Sequence, residues 1–118
     1  MTEDISPFKA LDFIRDNAEA YAQAKANVTY MTEYRKSLKA HYMNSCSAKT
    51  QSEKESFAYA HPDYIAHLDN LRIAIEECEK LRWLMVGAET KIQVWQSLNA
   101  NERIEMKYLA TIKDNKTP

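Results

Sequence analysis

The chain contains almost no residue that would interrupt a helix. Its 118 residues include one glycine and three prolines, and between Ala60 and Lys113 only Pro62 and Gly87 belong to these types. Glycine and proline disfavour helix interiors, and the turns between strands draw heavily on both. Their scarcity therefore predicts an all-α protein in which one helix runs for roughly fifty residues.

A helix of this length needs a partner along its side. At about 1.5 Å per residue it would extend some 70 Å, so its apolar stripe has to lie against another long helix. Apolar residues recur roughly every 3.4 positions, near the 3.5 of a coiled coil; they are Tyr64, Leu68, Leu71, Ile75, Cys78, Leu81, Met85, Ala88, Ile92 and Trp95. A second stripe runs from Leu11 to His41. We expect an antiparallel, coiled-coil-like helical hairpin.

Capping residues set the expected helix limits within a single domain, 1–118. Ser6 before Pro7 is a favoured helix start. Thr50 with Glu53 and Ser52 with Glu55 both have the spacing of a capping box. A residue before proline avoids the α region, which closes the corner helix before Pro62. We predict helix one over about 7–44, a short corner helix over about 52–60, helix two over about 62–110, and a frayed tail over 113–118.

The middle of the second long helix is apolar around more of its circumference than one partner helix can cover. The residues concerned are Leu81, Trp83, Leu84, Met85 and Val86. A third helix or a second subunit should pack there. We expect a homodimer that forms a four-helix bundle.

No set of residues has the spacing of a catalytic or metal site. The two cysteines are isolated, and no two histidines lie three or four residues apart. His41 and His67 are interpreted as flanking or interfacial helix residues and His61 as a cap, and the acidic run 76–79 as a solvated face. We expect no metal, no cofactor and no enzymatic activity.

The N-terminus, the length of the apolar segments and the two cysteines bear on the location of the protein in the cell. The N-terminus lacks a basic segment followed by an apolar one, and no window approaches eighteen apolar residues. Two isolated thiols fit a reducing compartment. We expect a cytoplasmic protein that makes no membrane contact.

Positive charge is concentrated at the end of helix one and in the turn after it. Residues 34–54 carry five basic side chains against one acidic side chain. Cations interleaved with aromatic rings suit a single-stranded nucleic acid, because phosphates are neutralised while bases stack. The same pattern is also how a soluble helix presents a polar face. The candidate nucleic-acid-binding residues are Arg35, Lys36, Lys39, Tyr42 and Lys49.

A second candidate surface is a protein interface formed by Arg82, Trp83 and Trp95. Tryptophan and arginine are the residues that most often anchor such interfaces. For Trp95 the alternative, burial in the hairpin or dimer core, is favoured, whereas for Trp83 the two interpretations are balanced.

Several segments of the chain resemble small helical proteins of tailed bacteriophages. The segments are 33–40, 59–64, 79–84 and Val94-Trp95, within a region covering about 30–105, and the corner Ala60-His-Pro-Asp-Tyr64 followed by Leu81-Arg-Trp83 is the most specific part. Such proteins are often encoded near recombination and replication genes. The resemblance implies a phage origin, a location in the host cytoplasm and an accessory role in DNA metabolism.

Three functions remain open at this point. The leading hypothesis is a non-enzymatic accessory protein of phage recombination or replication that binds single-stranded DNA or a protein acting on it. The alternative is a phage inhibitor or adaptor that binds and disables a host protein or defence complex. The third is a purely structural helical oligomer.

Overall fold

A computed structural model of the protein describes residues 6–115, which form three helices. They are α1 (Pro7–Ser45), α2 (Gln51–Ala60) and α3 (Pro62–Asn115). No strand occurs in this range, and the expected all-α helical hairpin with a short corner helix is confirmed. The prediction of a frayed tail over 113–118 is wrong for residues 113–115, which are helical because no breaker occurs there; the rest of that tail lies outside the described residues.

The helix starts are capped as the sequence predicts. Ser6 Oγ accepts a hydrogen bond of 3.3 Å from the Lys9 N–H, and Thr50 Oγ1 accepts one of 3.2 Å from the Glu53 N–H. His61 is the C-cap of α2, and its Nδ1 accepts a hydrogen bond of 3.1 Å from the Asp63 N–H in the first turn of α3. The prediction that His61 is a cap is therefore confirmed.

The chain divides into two compact units. One, here called the corner unit, is Ala18–Arg82; the other, the terminal unit, combines Met1–Asn17 with Trp83–Pro118. Each unit contains a part of α1 and a part of α3. The corner unit also contains α2 and the loop before it.

The corner unit has a small apolar core where α2 and α3 meet α1. Ala58 of α2 is fully buried, and Tyr64, Leu71 and Ala74 of α3 are buried. His67 Nε2 lies 2.7 Å from the Met31 carbonyl oxygen on α1. Because a carbonyl oxygen only accepts, Nε2 carries the proton and donates it, so His67 joins the two long helices as an interfacial residue.

The terminal unit buries even less of its apolar surface. Within its described residues only Ala10 and Ala88 are buried. Trp83 and Leu84 are 61% and 46% exposed. Beyond Ala100 every side chain through Thr111 is exposed, so the described part of the chain supplies no helix to cover this end of α3.

None of the three helices, over the residues described, combines the length and the apolar character that crossing a bilayer requires.

Candidate functional site

Three of the predicted cations line one hollow in the corner unit. Its volume is about 310 Å³, and we call it the basic hollow; it is lined by Arg35, Lys36, Lys39, Tyr59 and Tyr64. The cations come from one turn of α1, since residues three and four apart are neighbours on a helix surface. The tyrosines come from the end of α2 and the start of α3. The corner therefore places phenol rings beside a cluster of three positive charges.

Lys39 contacts two side chains of α2. Its Nζ lies 4.7 Å from the centre of the Tyr59 ring and 3.8 Å from Glu55 Oε1. Hydrogen bonding with Tyr59 raises the pKa of Lys39 above 10.5; desolvation opposes this, and the charge of Glu55 reinforces it. Lys39 is therefore a cation throughout the physiological pH range.

Lys36 has an acidic partner in the described chain, and Arg35 has none. Lys36 Nζ lies 3.2 Å from Glu33 Oε2 in an exposed pair on the same helix. Arg35 is half-buried and has no acidic partner among residues 6–115. Neighbouring like charges on a helix repel by about 0.2–0.5 kcal/mol per pair. Because Arg35 has no acidic partner among residues 6–115, the hollow retains positive charge that an anionic ligand would neutralise.

Tyr42, the residue predicted to stack on a base, does not line the basic hollow. Its ring stacks on the His61 ring with centroids 3.6 Å apart, and its hydroxyl donates a hydrogen bond of 2.5 Å to Asp63 Oδ2. This bond, with desolvation second, raises the pKa of Tyr42 above 10.0. Base stacking by Tyr42 stays a prediction, and in the structure one face of the ring is occupied.

Lys49 lies apart from these groups, in the loop between α1 and α2. Its side chain is exposed, and it does not line the basic hollow. The structure therefore brings together Arg35, Lys36 and Lys39, and leaves Lys49 and Tyr42 outside their hollow.

Sequence reasoning missed Tyr59 as a member of this site. It is twenty residues from Lys39, and only the packing of α2 against α1 brings the two together. A signal was available in the sequence, since the aromatic residues Phe57 and Tyr59 lie on the predicted helix that follows the basic segment. Aromatic rings beside cations are typical of a surface that binds a single-stranded nucleic acid.

The residues predicted as a protein interface fall in both units. Arg82 ends the corner unit, where its Nη2 lies 2.7 Å from Glu79 Oε2; this hydrogen bond raises the pKa of Arg82. Trp83 and Trp95 belong to the terminal unit and are 61% and 37% exposed. The hairpin by itself thus leaves Trp95 partly exposed, and burial of Trp95 in a dimer core stays a prediction.

Trp83 forms part of an apolar groove in the terminal unit. The groove has a volume of about 440 Å³ and is lined by Ser6, Lys9, Ala10, Phe13, Trp83, Leu84, Gly87, Ala88 and Lys91. Gly87 opens it, because a Cβ atom placed there would meet nothing within 4 Å. We call this feature the Gly87 groove.

Within residues 6–115, no three His, Cys, Asp or Glu side chains converge on a position where they could hold a metal ion. Cys46 and Cys78 are free thiols. No protein-family model, curated protein or solved structure matches the chain.

Proposed function

We propose that the protein is a non-enzymatic accessory factor of phage DNA recombination or replication, and that it binds single-stranded DNA through the basic hollow. The observation that carries this proposal is the convergence of Arg35, Lys36 and Lys39 on one hollow beside Tyr59. Phosphate contacts from such cations supply most of the affinity for a nucleic-acid backbone.

The state of each cation favours phosphate as the ligand. Arg35 has no acidic partner in the described chain and can form two parallel hydrogen bonds with phosphate oxygens. Lys36 is paired with Glu33, but an exposed pair contributes only about 0.2–1 kcal/mol, so exchange for a phosphate costs little. Lys39 is a cation at neutral pH, and Glu55, 3.8 Å from its Nζ, is the carboxylate that a phosphate would replace.

The aromatic contribution is assigned to Tyr59 rather than to Tyr42. Tyr59 is 47% exposed and lies in the same hollow as the cations. The Lys39 ammonium group lies against its ring, and the Tyr64 ring packs against it at a steep angle with centroids 5.4 Å apart, so a base would stack on the part of the ring that remains exposed. Stacking on a tyrosine tolerates any base, which fits binding without sequence preference.

Anisotropy of a labelled single strand of about 30 nucleotides tests the proposal at about 50 and about 200 mM salt. Three phosphate contacts give a slope near −2, so affinity should fall roughly twentyfold over this range. The triple variant Arg35→Glu/Lys36→Glu/Lys39→Glu should abolish binding. A matched triple reversal at exposed lysines outside the hollow, Lys25, Lys80 and Lys107, should retain most of it.

Duplex DNA of the same length is the second comparison. A preference for the single strand supports a role in recombination or replication intermediates. If the parent protein does not bind at the lower salt concentration, or if the two triple variants behave alike, the basic hollow is not a nucleic-acid site.

A protein-binding role as an inhibitor or adaptor is the second candidate. The observation that favours it is the exposure of Trp83 at the wall of an apolar groove. Tryptophan is among the residues that contribute most to binding at protein interfaces. In that case Trp83→Ala would remove partner binding while the triple variant of the basic hollow retained it.

A further inference from the structure

We propose that the Gly87 groove binds the exposed end of α3 from a second copy of this chain, so that two chains form an antiparallel dimer about a two-fold axis at Leu98. The inference concerns only the terminal unit. It does not depend on the basic hollow or on DNA binding.

The end of α3 is a helix without a neighbour in the described chain. Every side chain from Asn101 to Thr111 is exposed, and Ile104, Met106, Tyr108 and Leu109 are each at least 62% exposed. Isolated helices of this length are marginal in water, and most helix stability in proteins comes from packing of an apolar face. A partner that covers this segment would therefore stabilise it.

One face of α3 runs continuously from the Gly87 groove to this exposed end. Residues at seven-residue intervals lie nearly in line along a helix. In α3 one such line consists of Leu84, Lys91, Leu98, Glu105 and Ile112. The groove occupies the first part of the line and the exposed segment occupies the last part, with Leu98 at the midpoint.

Antiparallel pairing about Leu98 makes the charges on this line complementary. Lys91 is seven residues before Leu98 and Glu105 is seven residues after it, so each Lys91 faces Glu105 of the other copy. Both side chains are exposed, and neither has an ion-pair partner among residues 6–115. The two-fold symmetry forms this pair twice, as an interface of a surface with itself requires.

The same register also makes the side-chain sizes complementary. Gly87, eleven residues before Leu98, faces Leu109 of the second copy, eleven residues after it. The glycine of α3 therefore lies opposite an exposed large side chain, and the open space above Gly87 receives a leucine side chain. Interdigitation of large and small side chains is how helices pack closely.

The proposed pairing extends over a long stretch of α3. From Leu84 to Ile112 the helix extends about 42 Å at about 1.5 Å per residue. Two such faces would cover Leu98, the groove and Leu109. Because each groove also contains Ala10 and Phe13 of α1, the α3 end of each copy would pack against both long helices of the other.

A charge exchange, measured by analytical ultracentrifugation, tests the register. The parent should sediment as a dimer, and Lys91→Glu or Glu105→Lys alone should raise the dimer Kd about tenfold or more. The double variant Lys91→Glu/Glu105→Lys restores the opposite charges and should return the Kd towards the parent value. Lys107→Glu, on the opposite face of the same segment, is the matched control and should leave the Kd unchanged.

Cross-linking tests the axis in the same preparations. In a background with Cys46→Ala and Cys78→Ala, Leu98→Cys should form a disulfide-linked dimer under mild oxidation, because residues on the axis face their own copies. Gln96→Cys, on the other side of the helix, should not. A monomeric parent, a double variant no better than the single ones, or equal cross-linking at both positions would overturn the proposal.

Discussion

The Tyr42 hydroxyl lies 2.5 Å from Asp63 Oδ2 and connects the last turns of α1 to the first turn of α3. The ring of the same tyrosine stacks on His61, which caps both α2 and α3. One side chain thus fixes the corner at which all three helices meet. The packing at this corner brings α2, and with it Tyr59, to the basic hollow.

The corner bond predicts a pH-dependent stability. Only the protonated phenol can donate to Asp63, and the bond raises the pKa of Tyr42 above 10.0. Its stabilisation is therefore complete below pH 10 and is lost as the pH rises through the folded-state pKa. Tyr42→Phe should lower the urea midpoint at pH 7, and the difference from the parent should shrink above pH 10. Tyr108→Phe, an exposed tyrosine of the terminal unit, is the control.

The bond between His67 and the Met31 carbonyl predicts a second stability effect. His67→Phe keeps a ring near Tyr34, which lies 5.4 Å from the His67 ring, but removes the donor. The expected loss in the free energy of unfolding is about 1 kcal/mol. Urea denaturation followed by circular dichroism measures it. An unchanged midpoint would mean that the bond between the helices contributes nothing to stability.

The N-cap of α2 predicts a third effect on stability. Thr50→Ala removes the hydroxyl that accepts from the Glu53 N–H and should cost about 1 kcal/mol, the usual cost of losing an N-cap. Thr50→Ser keeps the hydroxyl and should stay near the parent. If α2 also positions Tyr59 as we infer, Thr50→Ala should in addition weaken binding of the single strand. Anisotropy at low salt measures that second effect.

The pairing of Lys36 with Glu33 predicts a substitution that increases affinity for single-stranded DNA. Glu33→Gln removes a carboxylate that competes with phosphate for Lys36, so affinity for the single strand should increase. Arg35→Ala should weaken binding and reduce the salt slope by about 0.7, the value of one phosphate contact on a single strand. A Glu33→Gln variant that binds no better than the parent would place Lys36 outside the contact.

Much of the fold follows from local sequence chemistry. Ser6 and Thr50 accept the hydrogen bonds that their positions before a helix predict, and His61-Pro62 separates α2 from α3 as expected. Local signals of this kind act over a few residues and do not depend on the rest of the chain. The end of α3 was placed five residues too early, because helix ends without a breaker have no such signal.

The candidate site was less predictable than the fold, because its residues are distant in sequence. The clustering of Arg35, Lys36 and Lys39 was readable from their spacing on one helix. The contacts of Tyr42 with Asp63 and His61 could not be predicted from the sequence. The contact between Tyr59 and Lys39 could not be predicted from it either. These contacts depend on how α2 packs at the corner.

The sequence by itself determined an all-α hairpin, its helix starts and the concentration of positive charge at the end of α1, because propensity, capping and helical spacing are local properties. Only the tertiary structure decided which side chains share a surface. It placed Tyr59 rather than Tyr42 in the basic hollow, and it left Trp83 and the α3 end exposed. The physical reason is that burial and pairing depend on the segment packed opposite, which residue spacing within one helix does not specify.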